Sequence, residues 1–202
     1  KFKSENVLEF LKKLEFKFSG DWITQVSPTD RIENMNKIIK QIDTSSKPSE
    51  LFQNGGLFEI DVASLKQSLN GNVYGRRFAR YILLKLEYLV ADNTVRWSNY
   101  TNLSVEHVLP QTPSENSQWM KNFDDSAREE WTNKLANLIL LSKNKNSQLS
   151  NLDFTDKKEK YFAGRISGLP RSSEILNYSA WTVELLEKRQ NTILEKLTNL
   201  SR

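Results

Sequence analysis

The 202-residue chain has no cysteine and a single histidine, His107. The absence of cysteine excludes disulfide scaffolds, cysteine nucleophiles and cysteine-ligated zinc sites. The single histidine excludes any metal site that needs two histidines from this chain. Any imidazole chemistry must therefore be carried out by His107.

Long apolar runs are missing as well. No run approaches the roughly 20 residues of a membrane-spanning helix, and no signal-peptide pattern is present. The chain begins with Lys1 rather than Met. We therefore expect a piece of a longer protein that makes no membrane contact. The lack of cysteine is compatible with the reducing cytoplasm, where we expect the protein to be located.

The charge balance favours no partner strongly. The chain carries 29 basic and 25 acidic residues, for a net charge of +4. This small positive charge slightly favours polyanionic partners, but many proteins that bind no nucleic acid have a similar charge. The length fits one or two domains and allows a core that needs no metal or disulfide.

Apolar residues at helical spacing dominate most of the chain. The spacing predicts a helix over 74–90, and a capping box of Ser126 and Glu129 predicts another over 126–135. Thr155 is a candidate cap for a helix over 155–166, and the last helix is expected to begin near residue 179 or 182.

The sequence pattern changes in the middle of the chain. Segments 94–97 and 104–108 are short and rich in β-branched residues, so they favour strands, and 137–141 is an apolar run of strand length. The expected order is strand, long insertion, strand, polar loop and helix. The sequence therefore predicts a small β-β-α unit inside a mostly helical chain, with a seam near Asp92.

The segment Glu106-His107-Val108-Leu109-Pro110-Gln111 places a carboxylate directly before the only imidazole. Pro110 is expected to stop the strand. Neighbouring side chains in a strand point to opposite faces, so this pair shares one site only where the strand ends or bends.

Further along, Asn137-Leu138-Ile139-Leu140-Leu141-Ser142 is followed by Asn146. With these residues, the region 105–162 resembles the His-Asn-His (ββα-metal, or His-Me finger) nucleases. It is most similar to the C-terminal nuclease domain of GmrSD-type modification-dependent restriction enzymes. The resemblance implies a mainly α fold with a small ββα-metal unit embedded among helices. We expect a helical flanking region over 1–92 and a nuclease region over 93–202 that ends in helices.

The resemblance also assigns roles to residues. His107 matches the general base that activates water for attack on a phosphodiester. Asn137 matches the asparagine that braces the loop and helps to orient the histidine. Glu106 and Asn146 match metal ligands. Two further asparagines are alternatives to Asn146: Asn144 and Asn151.

The implied cofactor is one divalent metal ion, Mg²⁺ or Mn²⁺, because carboxylate and amide oxygens suit hard cations. No structural zinc is expected, since the cysteine pairs that bind it in many relatives are absent here. Lysines near the motif are candidates for contact with phosphate or DNA: Lys143, Lys145, Lys157 and Lys158.

The resemblance implies a metal-dependent DNA endonuclease of a bacterial anti-phage restriction system. Its partners would be DNA and an N-terminal nucleotide-hydrolysing domain, in the same polypeptide or in a partner subunit. Two alternatives remain open from the sequence. One is a non-catalytic helical module that binds DNA with a degenerate finger, and the other is an RNase.

Overall fold

The structure is a computed structural model that describes residues 3–53, 56–91, 98, 102–144, 146, 150–162 and 169–199. It is mostly helical with a two-stranded antiparallel sheet. Its contacts form two compact units, one of Lys1–Leu69 with Lys196–Arg202 and one of Asn70–Glu195. The predicted division into a flanking region over 1–92 and a nuclease region over 93–202 assigns a function to each part. Those functions stay predictions.

The first unit is built from helices. Their bounds are α1 Ser4–Ile23, α2 Pro28–Thr44, α3 Pro48–Phe52 and α4 Val62–Asn70. Ser27 caps α2 by accepting a hydrogen bond from the Asp30 N–H, and proline occupies the first position of that helix. A Cβ atom at Gly20 would lie 2.8 Å from the Ile60 side chain, so glycine permits the close approach of α1 to this residue.

The second unit contains the sheet. Its elements, in chain order, are α5 Ala79–Val90, β1 Leu103–His107, α6 Gln118–Asn122, α7 Asp125–Trp131, the 3-10 turn Leu135–Asn137, β2 Leu138–Ser142, α8 Phe154–Phe162, α9 Pro170–Ser173, the 3-10 turn Glu174–Asn177 and α10 Val183–Thr198, whose residues from Lys196 onward belong to the first unit. The predicted order of strand, insertion, strand and helix is confirmed by β1, β2 and α8.

The two strands pair antiparallel, with His107 opposite Leu138 and Leu103 opposite Ser142. Both strands lie within one residue of their predicted bounds. The predicted strand over 94–97 lies outside the described residues. The pairing places the end of β1, which carries His107, beside the start of β2.

An apolar cluster packs behind the sheet and includes Val108, Leu109, Trp119, Trp131 and Trp181. Val108 and Leu109 are fully buried, so the chain enters the core directly after His107. Burial of apolar side chains is the main favourable term in folding, and here it fixes where the strand ends.

Two predicted helix starts are wrong. The capping box of Ser126 and Glu129 does not open α7; instead Asp124 caps the helix by accepting from the Ala127 N–H at 2.8 Å. Helix α5 begins at Ala79 rather than at 74, because the chain turns at Gly75. The φ of Gly75 is +80°, a conformation that side chains other than glycine rarely adopt.

None of the helices in the described ranges is long and apolar enough to cross a membrane.

Candidate functional site

His107 is the last residue of β1 and is 8% exposed. Its Nε2 lies 3.1 Å from the Oδ1 of Asn133. The ring of Tyr74 packs against the imidazole edge-on, with 4.2 Å between the ring centroids. The imidazole is therefore held by two residues that the sequence analysis did not identify.

Asn133 organises both contacts. Its backbone carbonyl accepts hydrogen bonds from the N–H groups of Val73 and Tyr74, at 2.9 and 3.1 Å. Its side-chain oxygen faces His107 and also accepts from the Nε2 of Gln111 at 3.4 Å. One asparagine therefore connects the turn that carries Tyr74 with the end of β1.

The surroundings of His107 keep its imidazole neutral. The pKa of His107 is lowered to about 4, mainly because the imidazole is buried; the hydrogen bond to Asn133 opposes this shift, and the positive charge of Lys157 adds to it. At pH 7 the ring therefore carries no charge and can accept a proton.

Asn137 braces the segment that follows His107 and is completely buried. Its Oδ1 accepts from the Leu109 N–H at 2.7 Å and from the Trp181 indole N–H at 3.0 Å. Its Nδ2 donates to the carbonyls of Leu109 and Thr132, both at 2.9 Å. These four bonds use the full capacity of an asparagine amide, so the side chain positions backbone.

The side chain of Glu106 has a different partner from the imidazole of His107, as the alternation of side chains along a strand leads one to expect. Its Oε1 lies 2.7 Å from the Nζ of Lys157 on α8. Lys157 is fully buried and also donates to the His107 carbonyl at 2.8 Å. Burial raises the pKa of Glu106 and lowers that of Lys157, and the attraction between the two groups opposes both shifts.

Asn146 lies beside the middle of β1. Its Nδ2 donates to the Ser104 hydroxyl and to the Val105 carbonyl, both at 2.9 Å. The two alternative ligands, Asn144 and Asn151, are exposed. The assignment of Asn146 and of Glu106 to a metal stays a prediction.

The four lysines predicted to contact phosphate fall into different environments. Lys143 is exposed directly after β2, and Lys145 lies outside the described residues. Lys157 is buried in its pair with Glu106. Lys158 donates to the Tyr178 carbonyl at 2.6 Å and lies over the Phe154 ring. Among the described members of this set, only Lys143 is exposed to solvent.

The donor groups near β1 are mainly amides and carbonyls. Within the described parts of the chain, no group of three or more His, Cys, Asp or Glu residues is placed to hold a metal ion. The ligands of a divalent ion at this position would therefore be amide oxygens, the carboxylate of Glu106 and atoms of the substrate.

The outer edge of β2 is covered by α9. The Ser172 hydroxyl accepts from the Leu140 N–H at 3.1 Å, and the Arg171 guanidinium donates to the Leu138 carbonyl at 3.1 Å. Glu87 of α5 is buried beneath them and accepts from the Arg171 N–H at 2.7 Å. This polar network anchors β2 from the side opposite to β1.

A model of one protein family matches this chain. The family is described as the C-terminal domain of GmrSD restriction endonucleases, and the match covers residues 60–196. It includes both strands, α8 and the residues described above in contact with His107, which are Tyr74, Asn133 and Lys157. No curated protein and no solved structure matches the chain.

Proposed function

We propose, from the premise that this chain belongs to the family of GmrSD restriction endonuclease C-terminal domains, that it is a metal-dependent DNA endonuclease domain of a bacterial anti-phage restriction system. His107 is its general base. An N-terminal nucleotide-hydrolysing domain, in the same polypeptide or in a partner subunit, is proposed to regulate cleavage.

The observation that carries the proposal is the setting of His107. The chain has no other histidine, and burial keeps this one neutral at the end of a strand inside the matched family region. Hydrolysis of a phosphodiester needs a group that takes a proton from the attacking water. A neutral imidazole held on two sides fulfils this requirement.

The neighbouring residues support the base without taking its place. Asn137 fixes the backbone of Leu109, two residues beyond His107, through two hydrogen bonds. Lys157 holds the carbonyl of His107 itself. The imidazole therefore projects from a backbone that is held at His107 itself and two residues beyond it, and pre-organised geometry of this kind lowers the cost of reaching the transition state.

Glu106 and Asn146 are the residues proposed to hold the metal, and their donor atoms suit a hard cation such as Mg²⁺. Both bonds of Asn146 to described residues use Nδ2, so its Oδ1 fits a ligand role. Glu106 fits less well, because it shares its carboxylate with Lys157. A divalent ion bound there would withdraw charge from the phosphate as negative charge develops on it.

The pairing of Glu106 with Lys157 favours a second candidate function. A carboxylate that is already neutralised by an ammonium attracts a metal weakly. A finger that holds no metal would be a non-catalytic DNA-binding module. This alternative predicts binding of DNA without cleavage.

The test is incubation of the purified chain with supercoiled plasmid, with Mg²⁺ or Mn²⁺ and with EDTA. We expect nicked or linear plasmid with metal and none with EDTA. Binding of the plasmid without cleavage under every divalent ion would establish the binding module instead. A parallel assay that cleaves RNA but not DNA would replace the DNA endonuclease with an RNase.

A further inference from the structure

His107 has two ring nitrogens, and the hydrogen bond made by one decides which of them is left to act as a base. The contact between Nε2 and the Asn133 Oδ1 spans 3.1 Å. An amide oxygen can only accept a hydrogen bond, so the proton of the neutral ring must be on Nε2. Nδ1 then keeps its lone pair.

A second donor meets the same oxygen of Asn133. The Nε2 of Gln111 donates to this Oδ1 at 3.4 Å, so both neighbours of the side chain contact its oxygen. Gln111 follows Pro110 in the segment that leaves β1. The Asn133 oxygen therefore accepts one hydrogen bond from Gln111 and one from His107.

Asn133 also positions the other side of the imidazole. Its carbonyl holds the N–H of Tyr74 at 3.1 Å, and the Tyr74 ring packs on the imidazole. The side chain and the backbone of one residue thus determine both the tautomer and the ring plane of His107.

Resting on the proposed function, we infer that Asn133 is a positioning residue that fixes His107 as the Nε2–H tautomer and leaves Nδ1 as the atom that takes the proton from water. Nothing in the sequence around Asn133 indicates this role. The role follows from its contact with a histidine 26 positions earlier in the chain.

Because the chain has a single histidine, the imidazole signals of a ¹⁵N-labelled sample come from His107 alone. A long-range ¹H–¹⁵N correlation spectrum, recorded at about pH 7.5 with EDTA present, reports which ring nitrogen carries the proton. We expect Nε2–H in the wild type. We expect mixed tautomers in Asn133→Leu, which removes the acceptor but keeps the backbone carbonyl that holds Tyr74.

Two further variants separate positioning from a general loss of structure. Asn133→Asp keeps an acceptor oxygen and is expected to keep the Nε2–H tautomer. Asn122→Leu changes an exposed asparagine of the same insertion and is expected to match the wild type. Amide spectra of β1 and β2 verify that each variant is folded.

In the cleavage assay, Asn133→Leu should lower kcat by about 10²-fold, the lower end of what general acid–base catalysis contributes, while KM changes little. Asn133→Asp should recover most of that loss. An Nδ1–H tautomer in the wild type, or an unchanged tautomer in Asn133→Leu, would overturn the inference. If the wild type shows the Asn133-dependent tautomer but cleaves nothing, the proposed function fails and the positioning role stands.

Discussion

The ammonium of Lys157 lies 2.7 Å from the carboxylate of Glu106, and both groups are buried beside the strand end that carries His107. The same ammonium donates to the His107 carbonyl at 2.8 Å. This cation joins α8 to β1, so the helix and the strand of the β-β-α unit are connected at the position where the chemistry is proposed.

Removal of either charge from this pair should destabilise the fold. Lys157→Met leaves a buried carboxylate without its partner, and such single changes cost about 3–5 kcal/mol. The double variant Glu106→Gln with Lys157→Met should lose less than the sum of the two single changes. Urea unfolding followed by circular dichroism measures all three.

Lys160→Met is the matched control, because Lys160 is exposed on the same helix. Its effect should stay within about 0.5 kcal/mol, as for most surface changes. Equal effects of Lys157→Met and Lys160→Met would show that the buried pair contributes nothing to stability.

Asn137→Ala should weaken the whole second unit. The change leaves two buried donors, the Leu109 N–H and the Trp181 indole, and two buried carbonyls without partners. Each unsatisfied buried group costs about 1–3 kcal/mol, so we expect a loss of roughly 4 kcal/mol or more for the four groups. Asn122→Ala, at an exposed position, should change the unfolding midpoint very little. A similar loss of stability in both variants would contradict the role of Asn137 in bracing the backbone after His107.

The buried Glu87 predicts a pH dependence of stability. Burial raises the pKa of Glu87 above its ordinary value of 4.5, against the opposing effects of Ser172 and Arg171. The native state therefore binds a proton more readily than the unfolded state. This contribution to stability is fully present below pH 4.5 and is lost as the pH rises through the native pKa.

Comparison of the wild type with Glu87→Gln isolates this contribution. The free energy of unfolding of the wild type should increase relative to that of Glu87→Gln as the pH falls towards 4.5. Glu159→Gln, at an exposed position on α8, should show no such divergence. A difference between wild type and Glu87→Gln that is constant with pH would show that the pKa of Glu87 is not raised.

Lys143 is the described lysine of the predicted phosphate contacts that is exposed to solvent. Lys143→Ala should weaken DNA binding and lower the slope of log affinity against log salt by about 1, as expected for loss of one phosphate contact. Lys121→Ala, exposed on α6, should leave the slope unchanged. The measurement is a fluorescence anisotropy titration of duplex DNA at several salt concentrations, and an unaltered slope for Lys143→Ala would remove this residue from the interface.

Local patterns predicted the strand pair well. The runs that contain Val105 and Ile139 had the length and the β-branched or apolar character of strands, and β1 and β2 lie within one residue of them. The family was predicted correctly because its signal is an ordered local motif around His107 and Asn137. Such features depend on neighbours in sequence, which a single chain displays directly.

The partners of the site residues were not predictable in the same way. Asn133 contacts a histidine 26 residues away, and asparagine is too frequent in this chain for one of them to stand out. Lys157 was predicted to contact phosphate or DNA, since lysines are mostly exposed. Its burial depends on the carboxylate of Glu106, which lies 51 residues earlier. These contacts require the tertiary fold.

The central claim is that His107 is the base of a nuclease, and a plasmid cleavage assay with His107→Ala tests it most directly. We expect the folded variant to lose metal-dependent cleavage by about 10²-fold or more, the contribution typical of a general base. It should still bind DNA as the wild type does, and its amide spectrum should match that of the wild type outside the end of β1. Cleavage by folded His107→Ala at the wild-type rate would contradict the account.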